Sequence, residues 1–135
     1  MTSDVALGPG VGTSAATRAN DLSSVVAEAF AREAGLRLPG LREWLAAATE
    51  PGAAADPEGL ADVLGVVHAL ANGAAVVGLT TPAAFLRAAE IALCGAERPD
   101  RSSYELARAR RLVERAAAVL MPAAPAGSAS VPRQA

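Results

Sequence analysis

His68 is the only histidine of the 135-residue chain and Cys94 the only cysteine, so groups able to act as nucleophile or metal ligand are few. One cysteine admits neither an intrachain disulfide nor a cysteine-based zinc site. With no HExxH, CxxC or ExxH pairing, metal and di-iron bundle sites lack ligands, and neither metal nor cofactor is expected. All twelve basic residues are arginine. The lack of lysine removes the Walker A cation, the Schiff base and the pyridoxal phosphate anchor. Gly8-Pro9-Gly10-Val11-Gly12 has the glycines of a phosphate loop, but no strand precedes it and no lysine follows, so it reads as a linker. Cys94, with no histidine or arginine beside it in sequence, reads as a small buried hydrophobe.

His68 is left as the residue with chemistry to offer. On a helical wheel it falls about 80° from Leu60, at the flank of an apolar stripe. Its neighbours on that side are Ala61, Gly65, Asn72 and Ala75. A single imidazole ringed by small side chains is sterically open to a docking protein, with Gly65, Asn72, Ala75 and Gly78 as candidate docking positions. A neutral ring nitrogen can take a phosphoryl group and pass it on. A second constellation is cationic: Arg108, Arg111 and Arg115, at i, i+3 and i+7, are candidates to meet an anion or an acidic partner. The same segment also reads as a solvated face with Arg110 and Glu114 paired at i, i+4. No aromatic residues interleave with these arginines and the net charge is −2, so nucleic acid is not an expected partner.

These residues need a scaffold, and composition limits its type. Hydrophobic residues make up 52% of the chain, but 35 of the 135 residues are alanine and only 3% are aromatic. Small side chains must therefore fill the core, which argues against an aromatic-rich sandwich or barrel. Residues 1–19 and 122–135 mix Gly, Ser, Pro and Ala without periodicity and read as disordered tails. Residues 20–121 carry helical spacing and helix punctuation. A first helix is predicted over 21–34, on Leu22, Val25, Val26, Ala29 and Phe30, stopping at Gly35. A second follows Pro39-Gly40 on Leu41, Trp44, Leu45 and Ala48. The third has the clearest start, Asp56-Pro57-Glu58, and an inward stripe of Leu60, Val63, Leu64, Val67, Leu70, Ala71 and Ala74, ending near Gly78. Thr81-Pro82 opens a fourth, with Phe85, Leu86, Ala89, Ala92 and Leu93 on one side. Ser102-x-x-Glu105 is a capping box for a fifth, carrying Leu106, Ala109, Val113, Ala116 and Leu120. The expected fold is all-α: an up-and-down bundle of four to five helices with disordered N- and C-terminal tails.

Across His68-Ala69-Leu70-Ala71-Asn72-Gly73-Ala74-Ala75-Val76-Val77-Gly78 the sequence resembles the histidine phosphotransfer (HPt) domain. That family's motif is roughly His-x-Leu-Lys-Gly-x-Ala-x-x-x-Gly on the second helix of a four-helix bundle. His68, Leu70, Ala74 and Gly78 match it, whereas Ala71 stands at the lysine that neutralises phosphoryl charge and Asn72 at the clearance glycine. The resemblance implies a non-enzymatic phosphorelay through His68, with a receiver domain or a kinase as partner.

Two other classes stand beside it. One is an enzyme or ligand-binding bundle with a pocket lined by Phe30, Trp44, Phe85 and Tyr104. The other is a self-associating scaffold, a homo-oligomer using Leu112 and Val119 on the last helix. The uncharged window Val63–Leu79 is short for a membrane span and reads as a buried helix, so no membrane is expected and the location is taken as cytoplasmic.

Overall fold

The computed structural model describes the backbone of residues 2–53 and 56–121, with side chains described at Arg18 and from Asp21 onward in those ranges. Its regular structure is four helices: α1 (Thr2–Ala48), α2 (Pro57–Val76), α3 (Thr80–Gly95) and α4 (Ser102–Leu120). No strand occurs among the described residues. The described residues are all-α, as the helical spacing predicts. The expected C-terminal tail, 122–135, lies outside the described residues.

α2 forms as its sequence dictates. The Asp56 carboxylate accepts from the backbone N–H groups of Glu58 and Gly59 at 3.3 and 3.1 Å. Pro57 occupies the first helical position, where its missing N–H costs nothing, and Glu58 meets the positive end of the dipole. At the other end Gly78 takes φ +83. This left-handed residue lets Gly78 N–H reach the Ala75 carbonyl (3.1 Å) and Leu79 N–H reach that of Ala74 (2.9 Å). That pair of bonds is a Schellman stop. Leu60, Val63, Val67, Leu70, Ala71 and Ala74 are all buried, which is the predicted stripe, with Leu64 half-buried.

α1 departs from expectation. A tail and two short helices were predicted across residues 1 to 50; one helix of 47 residues occupies that stretch from Thr2. Gly35 does not stop it, and Pro39-Gly40 does not restart it. The reason lies in the buried series Phe30, Ala34, Leu38, Leu41 and Leu45, whose spacings of four and three run straight through the glycines and the proline. The packing of this stripe outweighs the hydrogen bond that Pro39 cannot make. Gly35 is the residue whose carbonyl loses that bond, and it has no side chain to crowd the ring. Residues 2–19 continue the same helix.

The predicted inward face of residues 22–29 is corrected too: Leu22 and Val25 are 66% and 61% exposed. α1 and α2 run in opposite directions, Gly73 facing Phe30 and Gly59 facing Trp44. α2 therefore ends one turn beyond Phe30, and none of the described residues buries Leu22 or Val25.

Two helix starts also differ from the reading. α3 begins at Thr80 and α4 follows Arg101, neither with a side-chain cap bond. The capping box at Ser102 fails because Glu105 turns inward. Its side chain is buried in space left open by Gly95, where a Cβ would overlap the carboxylate. Its Oε1 has no hydrogen-bond partner, the nearest cation being Arg108 at 4.0 Å.

α3 packs on both α2 and α4, and α1 closes against α4 and α2. Arg42 fixes the α1–α4 contact with two bonds to Glu114, Nε to Oε2 at 2.9 Å and Nη2 to Oε1 at 2.8 Å. Arg110 donates to Thr49 Oγ1 at 2.9 Å, so the expected Arg110–Glu114 pair is replaced by contacts across helices. The hydrogen bonds from Arg42 hold the Glu114 carboxyl below the usual carboxylate range; partial burial opposes them, and the charges of Arg42 and Arg110 add to them.

Two measurements check these contacts. Gly73→Ala places a Cβ 2.7 Å from the Phe30 ring, so it should lower stability by about 1 kcal/mol in a urea titration. Gly65→Ala, in open space, should raise stability by about 0.5–1 kcal/mol through helix propensity. If Gly73→Ala raises stability as Gly65→Ala should, the close approach of α1 to α2 is wrong. For Glu114 the folded pKa is depressed, so its contribution is present above the unfolded value of about 4.3 and lost as pH falls through the folded one. Glu114→Gln should therefore melt lower than the parent at pH 7, by well under about 1 kcal/mol for so exposed a pair, and the gap should close in acid.

Candidate functional site

His68 projects from α2 with more than half its side chain exposed, at 56%. Val67 and Leu70, either side of it in sequence, are buried, so the backbone there is fixed while the ring stays accessible. α3 runs antiparallel alongside and supplies two charged partners from outside the motif. The ring's Nδ1 lies 2.8 Å from Glu90 Oε2, and its Nε2 lies 3.1 Å from Asn72 Nδ2. Arg87 Nη2 donates to Asn72 Oδ1 at 3.3 Å.

The order of these bonds assigns the ring's hydrogen. A guanidinium has only donors, so the Asn72 amide must turn its oxygen to Arg87 and its NH2 to the ring. An N–H can bond only a ring nitrogen that has a free lone pair, so Nε2 is the acceptor. The hydrogen then sits on Nδ1 and is donated to Glu90. The result is a chain of four side chains, Arg87 to Asn72 to His68 to Glu90, crossing from α3 to α2 and back. A ring so held can use its Nε2 electron pair as a nucleophile once Asn72 moves aside.

The other candidate docking residues surround it unequally. A Cβ added at Gly65, one turn before His68, meets nothing within 4 Å, so the surface there is open. Ala75 is exposed and Asn72 sits on the ring itself. Gly78 is exposed in the turn, where its positive φ gives the glycine a backbone role. Ala71 is fully buried, so the residue at the family's lysine position faces the core and cannot reach the ring.

The arginines of α4 do not form one array. Arg108 leans toward Glu105, Arg111 is exposed, and Arg115 lies 5.9 Å from the Phe85 ring centroid. Arg111 and Arg115 do share a shallow depression with Thr49, Arg110 and Glu114. The four aromatic residues do not converge on a pocket. Phe30 borders a groove, Trp44 packs on Gly59, Phe85 lies near Arg115, and Tyr104 is exposed near Arg101. The groove, of about 410 Å³, lies between α1 and α2 and is lined chiefly by Val26, Phe30, Leu70, Gly73, Val76 and Val77. On α4, Val119 is 48% exposed and Leu112 half-buried.

Glu90 and Arg87 were missed by the sequence reading. They lie 22 and 19 residues beyond His68, on another helix, and only the antiparallel packing of α3 on α2 brings them to the ring. Among the described residues no group of three metal-ligating side chains forms. α2 is the one described helix long and apolar enough to cross a membrane by length and composition, and a third of its apolar window is buried in this fold. No protein-family model, curated protein or solved structure matches the chain.

Cys94 is exposed on α3, not buried as its surroundings in sequence suggested. Partial burial of its thiol pushes the pKa up, and the nearby charges of Glu97 and Glu90 add to the effect. Less thiolate is present at neutral pH than in a free thiol. Iodoacetamide should thus alkylate Cys94 more slowly at pH 7 than it does glutathione, with a rate still rising as pH passes 9.0. Faster alkylation than glutathione would contradict this.

Proposed function

We propose that the chain is a small, non-enzymatic helical module that docks another protein and carries a phosphoryl group on His68. The observation behind the reading is the state of that imidazole: exposed, fixed on a packed helix, and held at Nδ1 by Glu90 so that Nε2 keeps its lone pair. Glu90 also matters during attack. When Nε2 gains a bond the ring becomes cationic, and a carboxylate at Nδ1–H stabilises that charge. The open surface at Gly65 and the small side chain of Ala75 leave a partner room to approach.

The architecture suits such a role. Antiparallel pairing of α1 with α2, α2 with α3, α3 with α4 and α4 with α1 supports an up-and-down four-helix bundle, with His68 on its second helix. The partner would be a receiver domain or a kinase, and the location cytoplasmic. The donor and acceptor proteins would supply most of the catalytic groups, since among the described residues no group of three metal-ligating side chains stands at the ring.

The groove between α1 and α2 supports a second reading, a module binding a small apolar ligand. Its walls are apolar, and the Glu33 and Arg37 at its edge pair with each other.

Phosphoramidate, a small phosphoryl donor, tests the first reading. The parent protein should gain a single phosphoryl group by intact mass, with a phosphohistidine signal in ³¹P NMR. His68→Ala should show neither. A folded parent that stays unmodified would end the relay reading and leave the groove as the site to pursue.

A further inference from the structure

With Ala71 buried, no cation on α2 can neutralise a phosphoryl group on His68. The cation nearest the ring in the hydrogen-bonded chain is Arg87 of α3, one bond removed through Asn72. Arg87 is exposed, makes no ion pair among the described residues, and spends one N–H on a neutral amide oxygen at the long distance of 3.3 Å. A guanidinium in that position has most of its donors unused. Its planar fork matches two oxygens of a tetrahedral oxyanion far better than it matches an amide.

We propose that Arg87 and Asn72 form an oxyanion clamp for the group carried by His68, and that Asn72 is also the latch covering Nε2 at rest. This rests on the reading of His68 as phosphoryl acceptor. The electron pair that Asn72 binds is the pair that must attack, so the amide has to leave Nε2 first. As it swings away, its NH2 meets one phosphoryl oxygen while Arg87 takes others. In the step itself, Nε2 forms a bond to phosphorus and the bond from phosphorus to the donor's leaving atom breaks. The leaving group departs with that electron pair and takes a proton from water. The ring, bonded to phosphorus at Nε2 and hydrogen at Nδ1, is cationic until the Nδ1 proton passes to Glu90 or to solvent. The ligand class is the phosphoryl dianion, so inorganic phosphate should occupy the clamp weakly and without covalent change.

Full-length ¹⁵N-labelled protein tests this in two ways. Titration with inorganic phosphate should shift the Asn72 side-chain amide and Arg87 Nε–H signals, and Arg87→Met should abolish the Asn72 shift. Phosphate binding at the arginines of α4 would move other signals equally in both proteins. Arg87→Met should also slow phosphorylation by phosphoramidate about tenfold, the worth of one charged hydrogen bond. Its thermal unfolding should be unchanged, because Arg87 is exposed. Asn72→Ala should instead speed the initial reaction by uncovering Nε2, and shorten the lifetime of the phosphohistidine. If Arg87→Met is phosphorylated at the parental rate, the clamp is wrong while the relay stands. If the parent forms no phosphohistidine, the relay falls and the titration alone decides. An Asn72 amide unmoved by phosphate then overturns the clamp as well.

Discussion

Close approach of helices through small side chains is the constraint on which this structure depends. Ala71, Ala74, Ala89, Ala92, Ala109 and Ala116 are completely buried, on three successive helices. A methyl group removes little apolar area from water, so such a core holds only if the helix axes come close enough to fill space. Where a large side chain must fit, its partner gives way: Phe30 meets Gly73, Trp44 meets Gly59, and the Glu105 carboxylate occupies the gap at Gly95. The few large buried side chains, among them Leu38, Leu45, Leu70, Leu86 and Leu93, then join the layers.

The same closeness builds the site. With α2 and α3 in close contact, the rather short Asn72 side chain spans from the ring to Arg87, and Glu90 reaches Nδ1 at hydrogen-bonding distance. His68 is held by neighbours on two helices whose relative position is set by buried alanines beneath it, Ala71 and Ala74 on one and Ala89 on the other. Positioning is thus inherited from the core, and the exposed polar groups have only to choose among a few rotamers.

What the sequence disclosed and what it hid follow from the range of the forces involved. α2 was legible from end to end because its cap, its stripe and its glycine stop are all local. The unity of α1 was hidden since Gly35 and Pro39 are strong local breakers; the buried spacing from Phe30 to Leu45, followed across them, was the signal for continuity. Ser102 and Glu105 have the pattern of a capping box, but a pattern cannot tell that a glycine on the preceding helix has opened a place for the carboxylate. His68 and Asn72 stood out as a unique residue and a departure from a motif. Glu90 and Arg87 did not, because proximity across 22 and 19 residues is decided by helix packing.

The Arg42–Glu114 contact carries a consequence for the order of assembly. Connections from α2 to α3 and from α3 to α4 are a few residues long, so these helices meet by closing small loops at little entropic cost. Arg42 and Glu114 are 72 residues apart, and the seam between α1 and α4 is the one place where the first element must find the last. Local contacts form early and distant ones late. α2, α3 and α4 are therefore the unit that gathers first, and α1 is the strut laid across it at the end. Since Phe30, Ala34, Leu38, Leu41 and Leu45 all belong to that strut, the contacts of α1 with α4 and α2 arrive together in one step. Its departure would be the first opening under stress, exposing the inner faces of α2 and α4 while leaving His68, Glu90, Asn72 and Arg87 together.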